Sequence, residues 1–491
     1  MITGQRFHAP RLGPGAVYLR SLDQVFRANP DLVRVVEIEP QGLWTKPTAP
    51  GALPRGSPTE LRELATLPQH TLTHGVGFPV GGTLCDQDRH IDEFRRWTES
   101  LASPWTSEHL SILEIPAAGA PQSCGFLMPP LQTEAQVALA VANIRHRAAK
   151  IGRPFAFETG VNYFAARPDE LADGDFFAAI AEAADCGILL DLNNLWVNAR
   201  NGRARINDVL ARLPLDRVWE VHLAGAEFAH GHWLDAHCGR IDPDLAMLAA
   251  DIVPDLPNLG AIIFEISPYR FSAFGPVAFL QEMETLHRLW AKTRSAPAAA
   301  ATPKAPSPSI VPASVTPEQW ERQIAIRMLP PSYWPPAPAP PLATSDERSF
   351  ALYVELATSF RYGAITQLLK NSVRLLLMSL GEIRVRDLLD RYTALAPPTA
   401  FPTDEALGFA RFARTQALPV SGLTDILMFE AASIEAAADG RTVRVTLAAD
   451  LDALLRDIAA GRTPMPSSGG SQMVIEVGVI PVPFVRLGER N

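Results

Sequence analysis

Two histidines and an aspartate lie close together in the middle of the chain, in the segments Trp219–Gly225 and Leu234–Cys238. The first segment is an apolar run that contains His222, and the second places Asp235 and His237 two residues apart. Nitrogen and carboxylate donors in such an arrangement are typical ligands of iron, manganese or zinc. The pattern therefore predicts a buried strand whose carboxyl end and following loop bind metal.

Short apolar runs that end in a metal-binding side chain recur between roughly residues 70 and 265. They add the candidate ligands His74, His109, Glu158, Asp191, Asn193 and Glu265. A parallel β/α barrel explains this recurrence, because the active residues of such barrels lie at the carboxyl ends of successive strands. The complete set is larger than one ion needs, so we expect two or three metal ions with bridging carboxylates.

Each of these residues also has an ordinary structural explanation when it is considered alone. A single histidine or glutamate at a strand end is usually just a polar residue, and the coincidence at six strand ends is what favours a joint metal site. We expect His90 to lie on a helix and His230 and His232 to lie in a polar loop. Cys238 is interpreted as an inert thiol.

Composition places the protein among globular chains. Its 491 residues are 47% hydrophobic and 20% charged, which predicts a large core and two folded units. The net charge of −9 argues against nucleic acid as a partner. The amino end lacks the apolar segment of a signal peptide and no run reaches membrane-span length, so we expect a cytoplasmic protein without a membrane partner.

Alternating strands and helices predict an α/β fold, a (β/α)₈ TIM barrel over residues 1–294 that carries the multinuclear metal site. The predicted strands are Arg11–Tyr18, Val33–Glu39, His70–Gly75, Trp105–Ile112, Pro154–Glu158, Gly187–Asn193, Arg217–Leu223 and Gly260–Glu265. The Gly/Pro-rich segment Pro116–Pro130 is expected to be a loop.

A different composition follows the barrel. Residues 295–344 are rich in proline and alanine and predict a linker, in which Thr316–Leu329 has the cap and apolar stripe of a helix that docks on a folded neighbour. Residues 345–491 predict a smaller, mainly helical domain, with a final hairpin formed by Met473–Val479 and Val482–Leu487.

The motifs of the first domain resemble those of the multinuclear non-haem iron-dependent oxidative enzymes, the group that includes the methanobactin biosynthesis enzyme. The similarity covers roughly residues 10 to 290. The motifs that carry it are Thr73–Gly77, Ser107–Leu110, Phe157–Glu158, Leu190–Asn194, Glu220–Gly225, Asp235–His237 and Phe264–Glu265.

This resemblance implies a barrel with two or three iron ions and O₂ as co-substrate. The implied substrate is a ribosomally made precursor peptide, modified at cysteine and sometimes at aspartate or asparagine. By matching motifs, the iron ligands are the same nine residues that the strand ends provide. Family members commonly work with a partner protein that binds the precursor, and residues 345–491 are weakly similar to such partners; an unrelated helical interaction domain is the alternative.

Two other functions are compatible with these residues. A divalent-metal TIM barrel of the sugar isomerase or endonuclease type also uses His, Asp and Glu at strand ends. A metal-handling scaffold that binds peptides without modifying them is the non-enzymatic alternative. Iron content and O₂ consumption distinguish the three.

Overall fold

A computed structural model describes residues 7–49, 51–84, 88–293, 315–336, 347–464 and 473–478. The strands in these ranges are β1 (Gly13–Val17), β2 (Val35–Ile38), β3 (His70–Gly75), β4 (Thr106–His109), β5 (Ile112–Ile115), β6 (Gln122–Met128), β7 (Phe155–Glu158), β8 (Gly187–Asp191), β9 (Val218–Ala224), β10 (Glu227–Ala229), β11 (His232–Leu234), β12 (Ala261–Glu265), β13 (Val443–Leu447) and β14 (Met473–Val477).

Helices connect most of these strands. The α-helices within the described ranges are α1 (Asp23–Ala28), α2 (Pro40–Leu43), α3 (Pro58–Leu64), α4 (Asp88–Ser100), α5 (Glu134–Ile151), α6 (Asp173–Ala184), α7 (Leu192–Arg200), α8 (Ile206–Leu210), α9 (Pro243–Ile252), α10 (Pro268–Trp290), α11 (Pro317–Met328), α12 (Glu347–Leu368), α13 (Lys370–Leu380), α14 (Glu382–Leu395), α15 (Pro402–Thr415), α16 (Leu423–Asp439) and α17 (Leu451–Ala459). None of them is both long enough and apolar enough to cross a bilayer.

Eight parallel strands close into a barrel in the order β1-β12-β9-β8-β7-β4-β3-β2. This closure confirms the predicted TIM barrel, and a helical carboxyl-terminal region follows it. Successive side chains of a strand point to opposite faces, so residues two apart share the barrel interior. The strand pattern thereby decides which side chains meet inside.

The barrel interior is apolar at its amino-terminal end and polar at its carboxyl end. One buried cluster includes Val35, Leu72, Trp105, Ala156 and Ile263. Two residues further along the same five strands come Glu37, His74, Ser107, Glu158 and Glu265. The apolar layer closes the bottom of the barrel, and the polar layer above it lies where TIM barrels carry their active sites.

Two local predictions are wrong, and one element was not predicted. The segment Pro116–Pro130 is not simply a loop, because β6 lies in it and pairs with β5 as an antiparallel hairpin. The strand predicted over Gly187–Asn193 ends at Asp191, where the Asp191 side chain accepts a hydrogen bond from Asn194 N and caps α7. A second hairpin, β10–β11, was not predicted from the polar segment after β9.

Helix α11 docks on the barrel, as predicted. Thr316 and Gln319 form a capping box at its start, and Trp320, Ile324 and Met328 lie in the same hydrophobic cluster as the barrel's outer layer. The Trp320 indole N–H donates to the carbonyl of Pro129 at 3.0 Å. The barrel and this short helix therefore share one hydrophobic core, and the domain boundary proposed at residue 294 stays a prediction.

The carboxyl-terminal helices form a second hydrophobic cluster, which extends from Ile365 to Ile458. Strand β14 pairs with β13 in an antiparallel register, in which Val445 faces Ile475. The final hairpin was predicted to pair Met473–Val479 with Val482–Leu487. This prediction is wrong for the first segment, because β14 pairs with the earlier strand β13. The second segment, Val482–Leu487, lies outside the described residues.

The carboxyl-terminal unit, residues 347–464 with 473–478, lies over the carboxyl end of the barrel. It contacts the segments that follow β2, β3, β4, β7 and β9. The contacts are Lys46 with Asp404, Thr48 with Asp439, His90 with Phe401, Phe126 with Tyr353, Tyr163 with Tyr353, and His230 with Glu355. This unit therefore borders the end of the barrel that carries the candidate site.

Candidate metal centre

All nine candidate ligands lie at the carboxyl end of the barrel. His109, Glu158, Asp191 and Glu265 are the last residues of their strands, His74 is the next to last residue of β3, and His222 is near the end of β9. Asn193 is in the first turn of α7, while Asp235 and His237 follow β11. The strand register places ligands side by side, because His109 pairs with Glu158 and Asp191 pairs with His222.

Glu158 is the centre of one half of the site. Its Oε2 atom lies 3.2 Å from His74 Nε2 and 3.2 Å from His109 Nε2. One ligand atom from each of these three residues lies within 4.8 Å of the others, and Glu158 forms a second such group with Asp191 and His222. A carboxylate shared by two groups of ligands is suited to bridge two ions.

Glu265 occupies the corresponding position in the other half. Its Oε1 lies 3.3 Å from His222 Nδ1, and its Oε2 lies 3.3 Å from His237 Nε2. His237 Nε2 is also 3.0 Å from Asp235 Oδ1, which accepts a hydrogen bond from Asn193 Nδ2 at 2.7 Å. The structure therefore brings all nine side chains together in two adjoining groups.

The Asp191-Leu192-Asn193-Asn194 motif forms the start of helix α7 and orients two of the candidate ligands. Asp191 Oδ1 caps the helix by accepting from Asn194 N at 2.7 Å, which leaves Oδ2 directed elsewhere. The Asn194 amide donates to Glu158 Oε1 at 3.3 Å. One helix start therefore orients Asp191 and Glu158 together.

Buried polar atoms without hydrogen bonds are concentrated in this site. Among the described residues, the atoms that make no hydrogen bond of normal geometry include Glu158 Oε2, Asp191 Oδ2, Asn193 Oδ1, His237 Nε2, Glu265 Oε2 and both ring nitrogens of His222. Several of them lie 3.0–3.3 Å from another candidate ligand instead. Such atoms are rare in folded proteins, and an ion is one of their standard explanations. Their chemistry, nitrogen and oxygen without thiolate, fits iron, manganese or zinc.

The pKa values of the buried carboxylates also favour a metal site. Burial raises the pKa of Asp191 well above its ordinary value, and the charges of Glu158 and Asp235 add to this effect. Burial also opposes ionisation of Glu158, but His109 and His74 outweigh it and lower the pKa of Glu158. Protons thus balance the charges of the cluster, and metal ions would take their place because ligands bind metal in deprotonated form.

Sequence reasoning missed two carboxylates at the inner edge of the site. Glu37 and Glu220 are fully buried, and each offers an oxygen within 4.8 Å of a His222 nitrogen. Glu37 Oε1 is 3.1 Å from His222 Nε2, and Glu220 Oε2 accepts from the Trp105 indole N–H at 3.0 Å. The sequence did offer one sign of them, an acidic residue inside an otherwise apolar strand. An acidic side chain that faces the barrel interior is not there to be hydrated by solvent.

The loop that carries Asp235 and His237 is held close to the end of β9. Cys238 N donates to Gly225 O at 2.9 Å, and Ser267 N donates to His237 O at 2.7 Å. A Cβ atom at Gly225 would lie 1.8 Å from Cys238 O, so only glycine permits this approach. His237 itself has φ of 44°, a left-handed conformation that non-glycine residues adopt at an energetic cost and often at functional sites.

Other candidates have different surroundings. His230 also has a positive φ, and its side chain pairs with Glu355 of the carboxyl-terminal unit. Cys238 is half-buried, and burial raises the pKa of its thiol. It belongs to none of the metal-binding groups found among the described residues.

Comparison with known proteins gives a family match over the barrel. The model of the RiPP precursor modification enzymes MbnB/TglH/ChrH matches residues 22–267. A UPF0276 protein of Anaeromyxobacter sp. (strain Fw109-5) is 28% identical over 227 residues, which is 46% of this chain and 79% of that protein. A UPF0276 protein of Bordetella pertussis is 29% identical over 211 residues, or 43% and 67% of the two chains.

Several solved structures match at lower sequence identity. A xylose isomerase domain containing protein from Salmonella typhimurium LT2 has 13% sequence identity and a TM-score of 0.40. The alignment covers 58% of this chain and 99% of that chain.

Proposed function

Since the chain belongs to the MbnB/TglH/ChrH family of RiPP precursor modification enzymes, we propose that it oxidises a ribosomally synthesised precursor peptide with two or three iron ions and O₂. The observation that carries this proposal is the convergence of nine nitrogen and oxygen ligands, many of them buried and without hydrogen bonds, at one end of the barrel. So many buried oxygen and nitrogen atoms without hydrogen bonds are costly unless cations bind them.

The residues fall into three sets that would hold the ions. His74, His109 and Glu158 form the first set, and Glu158 with Asp191 and His222 forms the second. Asn193, Asp235 and His237 form the third, with Glu265 between the second and the third. When bound, iron supplies the redox chemistry that the reduction of O₂ requires. The protein's own part is to fix the ligands and to leave one side accessible.

The accessible side is marked by the ligands that are least buried. The His237 side chain is 33% exposed and that of His109 is 18% exposed, whereas His74 and His222 are enclosed. We place the target side chain of the peptide here, with cysteine as the first expectation and aspartate or asparagine as the second. Holding the reacting groups in contact geometry contributes much of the rate acceleration in such a site.

We further propose that residues 345–491 bind the precursor peptide. Support comes from the position of the carboxyl-terminal unit, which borders the barrel end where the site lies. Binding energy from a part of the peptide remote from the reacting atom would then hold the target residue at the metal centre.

The test begins with the 491-residue chain loaded with Fe(II) under anaerobic conditions. Iron per chain is measured, then O₂ uptake and peptide mass are followed after addition of a peptide encoded by a short, cysteine-bearing reading frame beside the gene. Two or three iron ions, O₂ uptake and an oxidative mass change are expected. Preference for zinc or manganese without O₂ uptake would instead favour the isomerase or endonuclease type, and tight peptide binding without O₂ uptake would favour a scaffold.

A further inference from the structure

Tyr163, in the segment after β7, is bound by helix α12 through both of its backbone polar groups. The Tyr163 N–H donates to Tyr353 Oη at 3.1 Å, and the Ser349 hydroxyl donates to the Tyr163 carbonyl at 2.7 Å. The two tyrosine rings lie 5.4 Å apart. All three residues are buried, so these contacts are protected from water.

The side chain of Tyr163 reaches in the opposite direction, to the ligand loop Asp235–His237. Asp235 N donates to Tyr163 Oη at 3.1 Å. The carboxyl-terminal end of the same loop is anchored within the barrel, by Cys238 N to Gly225 O and by Ser267 N to His237 O. The Asp235 contact thus extends the anchoring to the other end of the loop and connects it, through one residue, with the carboxyl-terminal unit.

This loop needs anchoring more than the other ligands do. His237 is the most exposed ligand and has a left-handed backbone, while His74, Glu158 and His222 are on barrel strands. A strained conformation persists only when the surrounding structure fixes it. Loss of one anchor should therefore affect the outer ligands, Asp235 and His237, before the inner ones.

We propose that helix α12 completes the metal centre: Ser349 and Tyr353 fix Tyr163, and Tyr163 positions the Asp235–His237 loop to bind the outermost metal ion. Tyr163 and Tyr353 are positioning residues in this arrangement, because neither is among the metal ligands. The metal-binding part rests on the proposed function. The carboxyl-terminal unit would consequently contribute to metal occupancy as well as to peptide binding.

Variants of the full-length chain test this proposal. Tyr163→Phe removes the acceptor of Asp235 N, and Tyr353→Phe removes the acceptor of Tyr163 N. Tyr392→Phe is the matched control, because Tyr392 is a buried tyrosine in the carboxyl-terminal core whose hydroxyl donates to Glu405 O. Each protein is titrated with Fe(II) against a competing chelator, and its iron is examined by Mössbauer spectroscopy.

We expect Tyr163→Phe and Tyr353→Phe to lose one iron component, with an affinity for that ion lowered about tenfold, the lower range for residues that support metal ligands. The remaining components should keep their spectra, and Tyr392→Phe should keep all of them. Ser349→Ala should share the defect, and Ser349→Thr should restore the iron because it keeps the hydroxyl. Full iron occupancy with unchanged affinity in Tyr163→Phe would overturn the proposal.

Amide hydrogen exchange of the metal-free protein separates this inference from the proposed function. The amide of Asp235 should exchange about tenfold faster in Tyr163→Phe than in the parent, because its acceptor is gone. A parent protein that binds no Fe(II) would contradict the iron proposal. Faster exchange of the Asp235 amide in Tyr163→Phe would in that case still support the positioning of the loop by Tyr163. Unchanged exchange would contradict the positioning role whatever metal the parent binds.

Discussion

Glu158 is the single residue on which most of the candidate site depends. It contacts two histidines through one oxygen, accepts from Asn194 through the other, and belongs to two ligand groups. Its charge is also stabilised by the histidines, which lower the pKa of Glu158 although burial opposes this. A change at this side chain should therefore affect more than one ion.

We expect Glu158→Gln to bind at least one iron ion fewer than the parent while the barrel remains folded. Glutamine has nearly the same shape but no charge to bridge two cations. Iron per chain and far-ultraviolet circular dichroism provide the measurement. Glu282→Gln is the control, since Glu282 is equally buried but pairs with Arg240 outside the site. Equal iron in the two variants would contradict the central role of Glu158.

The residues that sequence reasoning found and missed differ in their neighbours along the chain. His74, Glu158 and Glu265 close apolar runs, where a polar residue at a strand end is conspicuous. Glu37 and Glu220 lie inside such runs. Their side chains face the interior, close to the candidate ligands, only because the strands close into a barrel. Whether an acidic side chain faces a core or solvent is a tertiary property.

At the scale of elements, the strand and helix alternation was predictable because apolar periodicity and caps are local. Thr133 caps α5 and Gly152 ends it in a left-handed conformation, and both residue types are common at these helix boundaries. The hairpins β5–β6 and β10–β11 were not predicted. Strands β5, β10 and β11 have only three or four residues, and the seven residues of β6 are only partly buried and lie in a Gly/Pro-rich segment. Their pairing follows from packing against the barrel end, which no local pattern records.

The close approach of the ligand loop to β9 gives an element-scale prediction. Gly225→Ala should displace the loop, since the new Cβ would overlap Cys238 O. We expect lower iron content and a lower Tm than in the parent. Gly202→Ala serves for comparison: its Cβ would meet no described atom, although φ is 81°, so it tests backbone strain alone. Iron content that falls equally in both variants would speak against a specific role of Gly225.

The docking of α11 gives a second element-scale prediction, on how stability depends on pH. Burial raises the pKa of Glu321 to about 7, while Thr83 stabilises the carboxylate through its backbone N–H and its hydroxyl. Because the folded-state pKa is raised, the folded protein binds more protons than the unfolded chain between about pH 4.5 and 7, and stability decreases as pH rises through this range.

Glu321→Gln should remove this loss, because a neutral amide can both donate to and accept from Thr83. The Tm of the variant should match the parent near pH 5 and exceed it near pH 8. Each pKa unit corresponds to about 1.4 kcal/mol, so the rise from 4.5 to about 7 sets an upper limit of roughly 3.5 kcal/mol on the stabilisation. A Tm difference that is the same at both pH values would show that Glu321 does not titrate as argued.

At the scale of the molecule, the family and the barrel predicted from the sequence are confirmed. The location of the carboxyl-terminal unit was beyond the sequence, because contacts such as Lys46 with Asp404 join residues far apart in the chain. The shared core with α11 indicates where a shorter protein should end.

A chain ending at residue 336 should be more stable than one ending at 294. The shorter chain would expose the surface that Trp320, Ile324 and Met328 cover. We expect its Tm to be lower by roughly 5–10 °C, since each kcal/mol shifts Tm by about 2–4 °C in domains of 150–250 residues and these chains are somewhat larger. Thermal unfolding followed by circular dichroism gives the comparison, and equal Tm values would mean that α11 only rests on the barrel.

The anchored helix α11 also shortens the tether between the two halves of the molecule. Only the ten residues from 337 to 346 separate the end of the anchored segment from α12. Fully extended, such a segment spans at most roughly 40 Å. A carboxyl-terminal unit that left the barrel would thus remain at a local concentration on the order of millimolar and would rebind without waiting for diffusion. Turnover per molecule should then not change on dilution. An enzyme that depends on a separate partner protein would lose turnover on dilution, because the two proteins dissociate.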